Sequence, residues 1–162
     1  MQDEDLPAVP PPDFDIAKVK QLILAGSTIP QAWMPFVSEL NFAFENHFNL
    51  EPLSQLRRLR SLDLTKVPIQ DLTPLEGLAE LRELRLGDTD VTDINPLANL
   101  RHLCILDLTN TRASDVSALR NLSSLTLLYI LKAPIADLGP LAALRNLTIV
   151  GSADQFSGYR RD

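Results

Sequence analysis

LSQLRRLRSLDLTKVPIQDLTP at residues 53–74, followed by LEGLAELRELRLGDTDVTDINP at 75–96, decides the fold. Laid one above the other, the two stretches share leucines at the first, fourth, seventh, tenth and twelfth places and a proline at the last. A fixed period of this kind marks a chain built from stacked units, none of which can bury its apolar side alone. The 22-residue period continues: Leu53, Leu75, Leu97, Leu119 and Leu141 form one column, Leu56, Leu78, Leu100, Leu122 and Leu144 a second, and Leu59, Leu81, Leu103, Leu125 and Leu147 a third. A fourth runs Leu62, Leu84, Leu106, Leu128, Val150, and a fifth Leu64, Leu86, Leu108, Ile130. Four full units extend from Leu53 to Pro140; a fifth begins at Leu141 and fades after Gly151.

Within one unit the alternation of Leu62 and Leu64 around Asp63 has the two-residue period of a strand, with the leucines inside and the aspartate outside. Thr73-Pro74, Asn95-Pro96 and Gly139-Pro140 each set a candidate N-cap before a proline at the first helical position, opening a short helical turn. The expected arrangement is one parallel sheet in chain order, with strands centred near residues 23, 41, 63, 85, 107 and 129. The first of these is read from LILAGSTI, through Leu22, Leu24 and Ile29.

The pattern LxxLxLxxTxIxDLxPL over residues 40–150 resembles the 22-residue class of leucine-rich repeat found in the internalins and in the regulatory subunit of protein phosphatase 1. The resemblance implies an α/β solenoid. One short parallel sheet would line the concave face, with short helical or 3-10 turns on the convex side. It does not imply a particular partner, because function resides in the surface a fold presents.

Four regions are expected: an acidic, proline-rich leader at 1–12; an N-terminal cap with irregular repeats at 13–52; regular repeats at 53–152; and a tail at 153–162. The cap would be a short helix opened by Asp13 or Asp15, laying Ile16 and Val19 over the first repeat. The tail offers Phe156 and Tyr159 to cover either the far end or the concave face, so the expectation includes open leucines on the final turn and self-association there.

Composition narrows the function classes. A net charge of −6 and a pI near 4.9 disfavour nucleic acid and anionic membrane as partners. Cys104 is the single cysteine, so neither an intramolecular disulfide nor a cysteine-based zinc site can form, and a reducing cytoplasmic setting is expected. No segment has the apolar length of a membrane-spanning helix.

Three polar groupings invite chemistry, and each has a simpler reading. The column Asp71, Asp93, Asp115, Asp137 suggests a cation ladder, but turn aspartates accept backbone N–H groups. His102 and Cys104 suggest a thiolate–imidazole pair, yet they occupy places held elsewhere by Arg58 and Arg60 and no third residue orients them. The arginines at 57, 58, 60, 82, 101, 120 and 145 are interleaved with glutamates and lack the aromatic platforms of a nucleic-acid surface. No catalytic, metal or cofactor site is expected.

Function is read from the strand residues that point away from the core. These rows are Glu39, Ser61, Glu83, Ile105, Leu127, Ile149; Asn41, Asp63, Arg85, Asp107, Tyr129; and Ala43, Thr65, Gly87, Thr109, Leu131. Polar and charged at first, they turn apolar toward the C-terminus. The expected role is non-catalytic protein binding through the concave face, with Ile105, Leu127, Tyr129, Leu131 and Ile149 supplying the contact and Asp63, Arg85 and Asp107 setting orientation. The alternative is a regulatory or sensor subunit of a separately encoded enzyme.

Overall fold

The structure is a computed structural model that describes residues 9–47 and 49–152. Six three-residue strands form one parallel sheet in chain order: β1 (Glu39–Asn41), β2 (Ser61–Asp63), β3 (Glu83–Arg85), β4 (Ile105–Asp107), β5 (Leu127–Tyr129) and β6 (Thr148–Val150). The 22-residue columns become the register directly, with Leu40 beside Leu62, Leu62 beside Leu84, Leu84 beside Leu106 and Leu106 beside Leu128. Short 3-10 turns return the chain on the other side, at Glu51–Gln55, Thr73–Leu75, Asn95–Leu97, Ser117–Leu119 and Gly139–Leu141.

The core is the set of columns. The leucines from Leu53 to Leu147 in the first three columns are all buried, as are the strand leucines Leu62, Leu84, Leu106 and Leu128. Each such side chain contributes roughly 1.5–3 kcal/mol of transfer free energy before the entropy of ordering is subtracted. Contacts run between neighbours along the stack, so each unit is stabilised mainly by the one before and the one after.

Each unit turns out of its strand through a residue in the left-handed region: Phe44, Lys66, Asp88, Asn110 and Lys132, with φ between 53° and 69°. That conformation costs roughly 1–2 kcal/mol for a residue with a Cβ, less for Asp and Asn. In two units the residue immediately after it, Thr89 or Thr111, is buried and donates its hydroxyl to the carbonyl of Leu86 or Leu108 at 2.7 and 2.8 Å. No buried hydroxyl of this pair is left unsatisfied.

The structure corrects the sequence reading in five places. The segment containing Leu22 and Leu24 is not a strand: α1 (Ile16–Leu24) runs through it, capped by Asp15, whose carboxylate accepts the Ala17 N–H at 2.8 Å. The spacing of Val19 and Ile23, both buried, is one helical turn, and it outweighs the two-residue alternation of Leu22 and Leu24. Ile16, expected in the cap's contact, is 43% exposed, and Ile23 takes its place.

The third correction concerns capping. Thr73, Asn95 and Gly139 are not side-chain caps; the capping oxygen comes from the aspartate two residues earlier. The fourth lies in β6, where Leu128 pairs with Ile149 and not with Val150. A slip of one residue exchanges the faces, so Thr148 and Val150 take the outward rows and Ile149 packs against the core.

The expected open leucines of the last turn are also not found, since Leu141, Leu144 and Leu147 are buried. Of the expected leader only residues 9–12 are described, and the tail at 153–162 with Phe156 and Tyr159 lies outside the described residues.

Candidate partner-binding face

Parallel sheets commonly have both faces covered. Here the inward face packs on the leucine core, and the other carries the outward rows, which apart from the buried Gly87 are at intermediate or full exposure. Its N-terminal part is charged. Arg85 places a guanidinium nitrogen 2.6 Å from Glu83 and another 4.0 Å from Asp63, while Asn41 donates to Asp63 at 3.5 Å. Glu39, Asn41, Ser61, Asp63, Glu83 and Arg85 line a shallow hollow of about 300 Å³ there.

Asp63 and Asp107 have a structural role as well as an outward position. Asp63 Oδ1 accepts the Thr65 N–H at 2.9 Å and Asp107 Oδ1 accepts the Thr109 N–H at 2.8 Å, so each closes the turn at the end of its strand. Asn41 does the same for the Ala43 N–H at 2.9 Å. Gly87 is buried beside this group: a Cβ built on it would stand 3.4 Å from Asp107 Oδ2. The small residue leaves room for the carboxylate.

The C-terminal part is apolar. Ile105 and Leu127 are neighbours across β4 and β5, and Tyr129 stands beside Val150 across β5 and β6. Leu131 and Val150 are 42% and 41% exposed, while Ile105, Leu127 and Tyr129 are half-buried. The slip in β6 therefore turns Ile149 away from the other expected contact residues; Thr148 takes its place beside Leu127, and Val150 extends the Tyr129 row.

Phe44 was absent from the expected set. It is 64% exposed in a left-handed backbone conformation, with the Lys66 ammonium 4.9 Å from its ring centroid. The signal available in the sequence is an aromatic at a repeat place otherwise held by Lys, Asp or Asn.

The polar groupings resolve toward structure. Asp71, Asp93, Asp115 and Asp137 each accept the backbone N–H two residues ahead, at 2.8 Å in every case. No three His, Cys, Asp or Glu among the described residues come together as a metal site. Cys104 Sγ donates to the carbonyl of His102 at 3.3 Å, a contact with backbone and not with the imidazole. A wide cleft bordered by Ile29, Gln31, Met34, Gln55 and Arg57 includes no outward strand residue and contains one charged residue.

Two of the turn aspartates carry a testable electrostatic signature. The Thr73 hydroxyl, and then its N–H, hold the Asp71 carboxyl below its ordinary pKa, and Ser117 does the same for Asp115. A lowered folded-state pKa contributes stability that is present above the ordinary carboxylate value and lost as pH falls through the folded value. In a carboxyl-detected NMR titration Asp71 is expected to titrate at a lower pH than an ordinary aspartate, and Thr73→Ala should move its midpoint back up. An unmoved midpoint would remove the hydroxyl as the main cause.

The same geometry recurs in solved structures. Internalin C2 from Listeria monocytogenes superposes with a TM-score of 0.73 at 30% identity, over 80% of this chain and 59% of that one. This chain has the leucine-rich repeat solenoid fold. A second Listeria monocytogenes internalin matches at 25% identity and a TM-score of 0.63, over 83% of the leucine-rich repeat chain described here and 47% of its own. A leucine-rich repeat protein of Leptospira interrogans shares the fold at 22% identity and a TM-score of 0.66, over 78% of this chain and 34% of that one. The leucine-rich repeats described here thus span a little over half of internalin C2 and less of the other two. No protein-family model and no curated protein matches the sequence.

Proposed function

We propose that this leucine-rich repeat chain is a non-catalytic binding module that holds a partner protein on the concave face of its sheet, working in a reducing compartment where Cys104 stays a thiol. The observation that carries the reading is the change along the outward rows from Glu39, Ser61 and Glu83 to Ile105, Leu127, Tyr129, Leu131 and Val150. A contiguous apolar area beside charged groups is the composition of a contact surface, with an aromatic anchor at its centre and polar residues around it. The internalin likeness supports a protein partner in general and carries no identity for it.

Affinity capture from a native lysate tests this with three baits: the wild-type chain, a Leu127→Ala, Tyr129→Ala double variant, and an Arg101→Ala variant altered at an exposed site outside the strands. Proteins held by the wild type and the Arg101 variant should be missing from the double variant. Losing Tyr129 alone is expected to weaken binding by about 2 kcal/mol if it is an anchor. Identical recovery on all three baits would rule the concave face out.

A further inference from the structure

The outward surface of the sheet is strongly divided by charge, and the division names the chemistry of what can sit on it. Glu39 is exposed, and Asp63, Glu83 and Asp107 are half-exposed on neighbouring strands. The one cation in the outward strand rows, Arg85, is already drawn to Glu83 at 2.6 Å and lies 4.0 Å from Asp63. Four carboxylates against one guanidinium leave this half of the face with a net charge of −3. Past Asp107 the outward side chains carry no charge: Ile105, Leu127, Tyr129, Leu131 and Val150 are apolar or aromatic, and Thr109 and Thr148 are neutral.

Other cations flank the face and do not neutralise it. Arg60 and Arg82 precede β2 and β3, and Arg60 reaches Glu80 at 3.6 Å. Lys66 stands over the Phe44 ring on the opposite rim.

We infer that the segment seated here is cationic where it crosses β1–β4 and apolar where it crosses β4–β6. The inference rests on the reading of the concave face as the partner surface and adds the partner's chemistry to it. An acidic segment is repelled by the first half, and a wholly apolar one would strip water from carboxylates without supplying counter-charges. Strands about 4.8 Å apart put the charged part at roughly 14 Å and the apolar part at roughly 10 Å along the stack. One continuous segment can therefore supply both ends, as about seven extended residues or about sixteen helical ones.

A random linear peptide display library panned on the intact chain tests the inference, with three targets compared. They are the wild type, the Leu127→Ala, Tyr129→Ala variant, and a Glu39→Gln, Glu83→Gln, Asp107→Asn variant. The last keeps side-chain shape, and an amide oxygen at 107 can still accept the Thr109 N–H. Peptides enriched on the wild type should pair Lys or Arg at one end with Leu, Phe or Trp at the other. Their affinity should fall roughly tenfold on the charge-neutralised target and weaken as salt is raised.

Enrichment of apolar peptides without basic residues, lost on the Leu127, Tyr129 variant but unchanged on the charge-neutralised one, overturns this inference and leaves the concave-face reading standing. If no enriched peptide depends on Leu127 and Tyr129, both fail together.

Discussion

Leu106→Ala should lower the unfolding free energy by about 2–5 kcal/mol, the range for deleting a fully buried leucine side chain from a close-packed core. Leu106 is the inward residue of β4, paired with Leu84 on one side and Leu128 on the other, and it is completely buried. A cavity there sits between two neighbours that are both held in place by further repeats, so the stack has little freedom to collapse into it. Asp107→Ala, one residue along, changes the outward face and removes one turn hydrogen bond to Thr109 at 2.8 Å. Its loss should stay near 1 kcal/mol. Chemical denaturation midpoints of the two variants decide the matter, and equal losses would mean that the inward and outward rows had been exchanged.

That contrast is readable from the 22-residue columns because a strand between two neighbours has no freedom of register. From β1 to β5 every step of one unit puts leucine on leucine, and any slip would turn Asp63, Arg85 or Asp107 into the core. At β6 the same logic weakens. Ile149 and Val150 are both apolar and β-branched, and the strand pairs on one side with β5, so the apolar pattern cannot choose between them. The charged part of the candidate face was therefore legible and its last apolar member was not.

The remaining differences have equally local causes. A residue before proline looks like a helix N-cap, but the N–H of Thr73 or Asn95 is itself accepted at 2.8 Å by the aspartate two places before it, so that residue is already the first of the 3-10 turn. The left-handed turn residues share no common side chain, so the sequence does not mark Phe44, which is exposed at a φ of 69°. The cap helix opened at Asp15 with Val19 on the core was legible, but the interleaving of two periods hid its extension through Leu22 and Leu24, where buried Ile23 decides in favour of helix.

The N-terminal cap supplies the other large expected effect. Trp33→Ala should cost about 3–5 kcal/mol, as truncation of a buried tryptophan does. Trp33 is only 3% exposed; its ring meets Phe14 edge-on at 6.0 Å between centroids, and the Lys18 ammonium lies 5.5 Å from it. Phe14 also packs on Phe36 at 5.9 Å, so the segment before α1 and the 3-10 turn Met34–Phe36 are joined through this aromatic group. Because stability in a stacked repeat is a sum of neighbour terms, damage at the end should be felt there first. Native-state hydrogen exchange of Trp33→Ala is expected to show the largest loss of protection at β1, with β4 and β5 opening at a free energy closer to that of the parent chain. Uniform loss across all strands would mean that the stack unfolds as one unit, and that Trp33 acts on the whole solenoid and not as a cap for its first repeat.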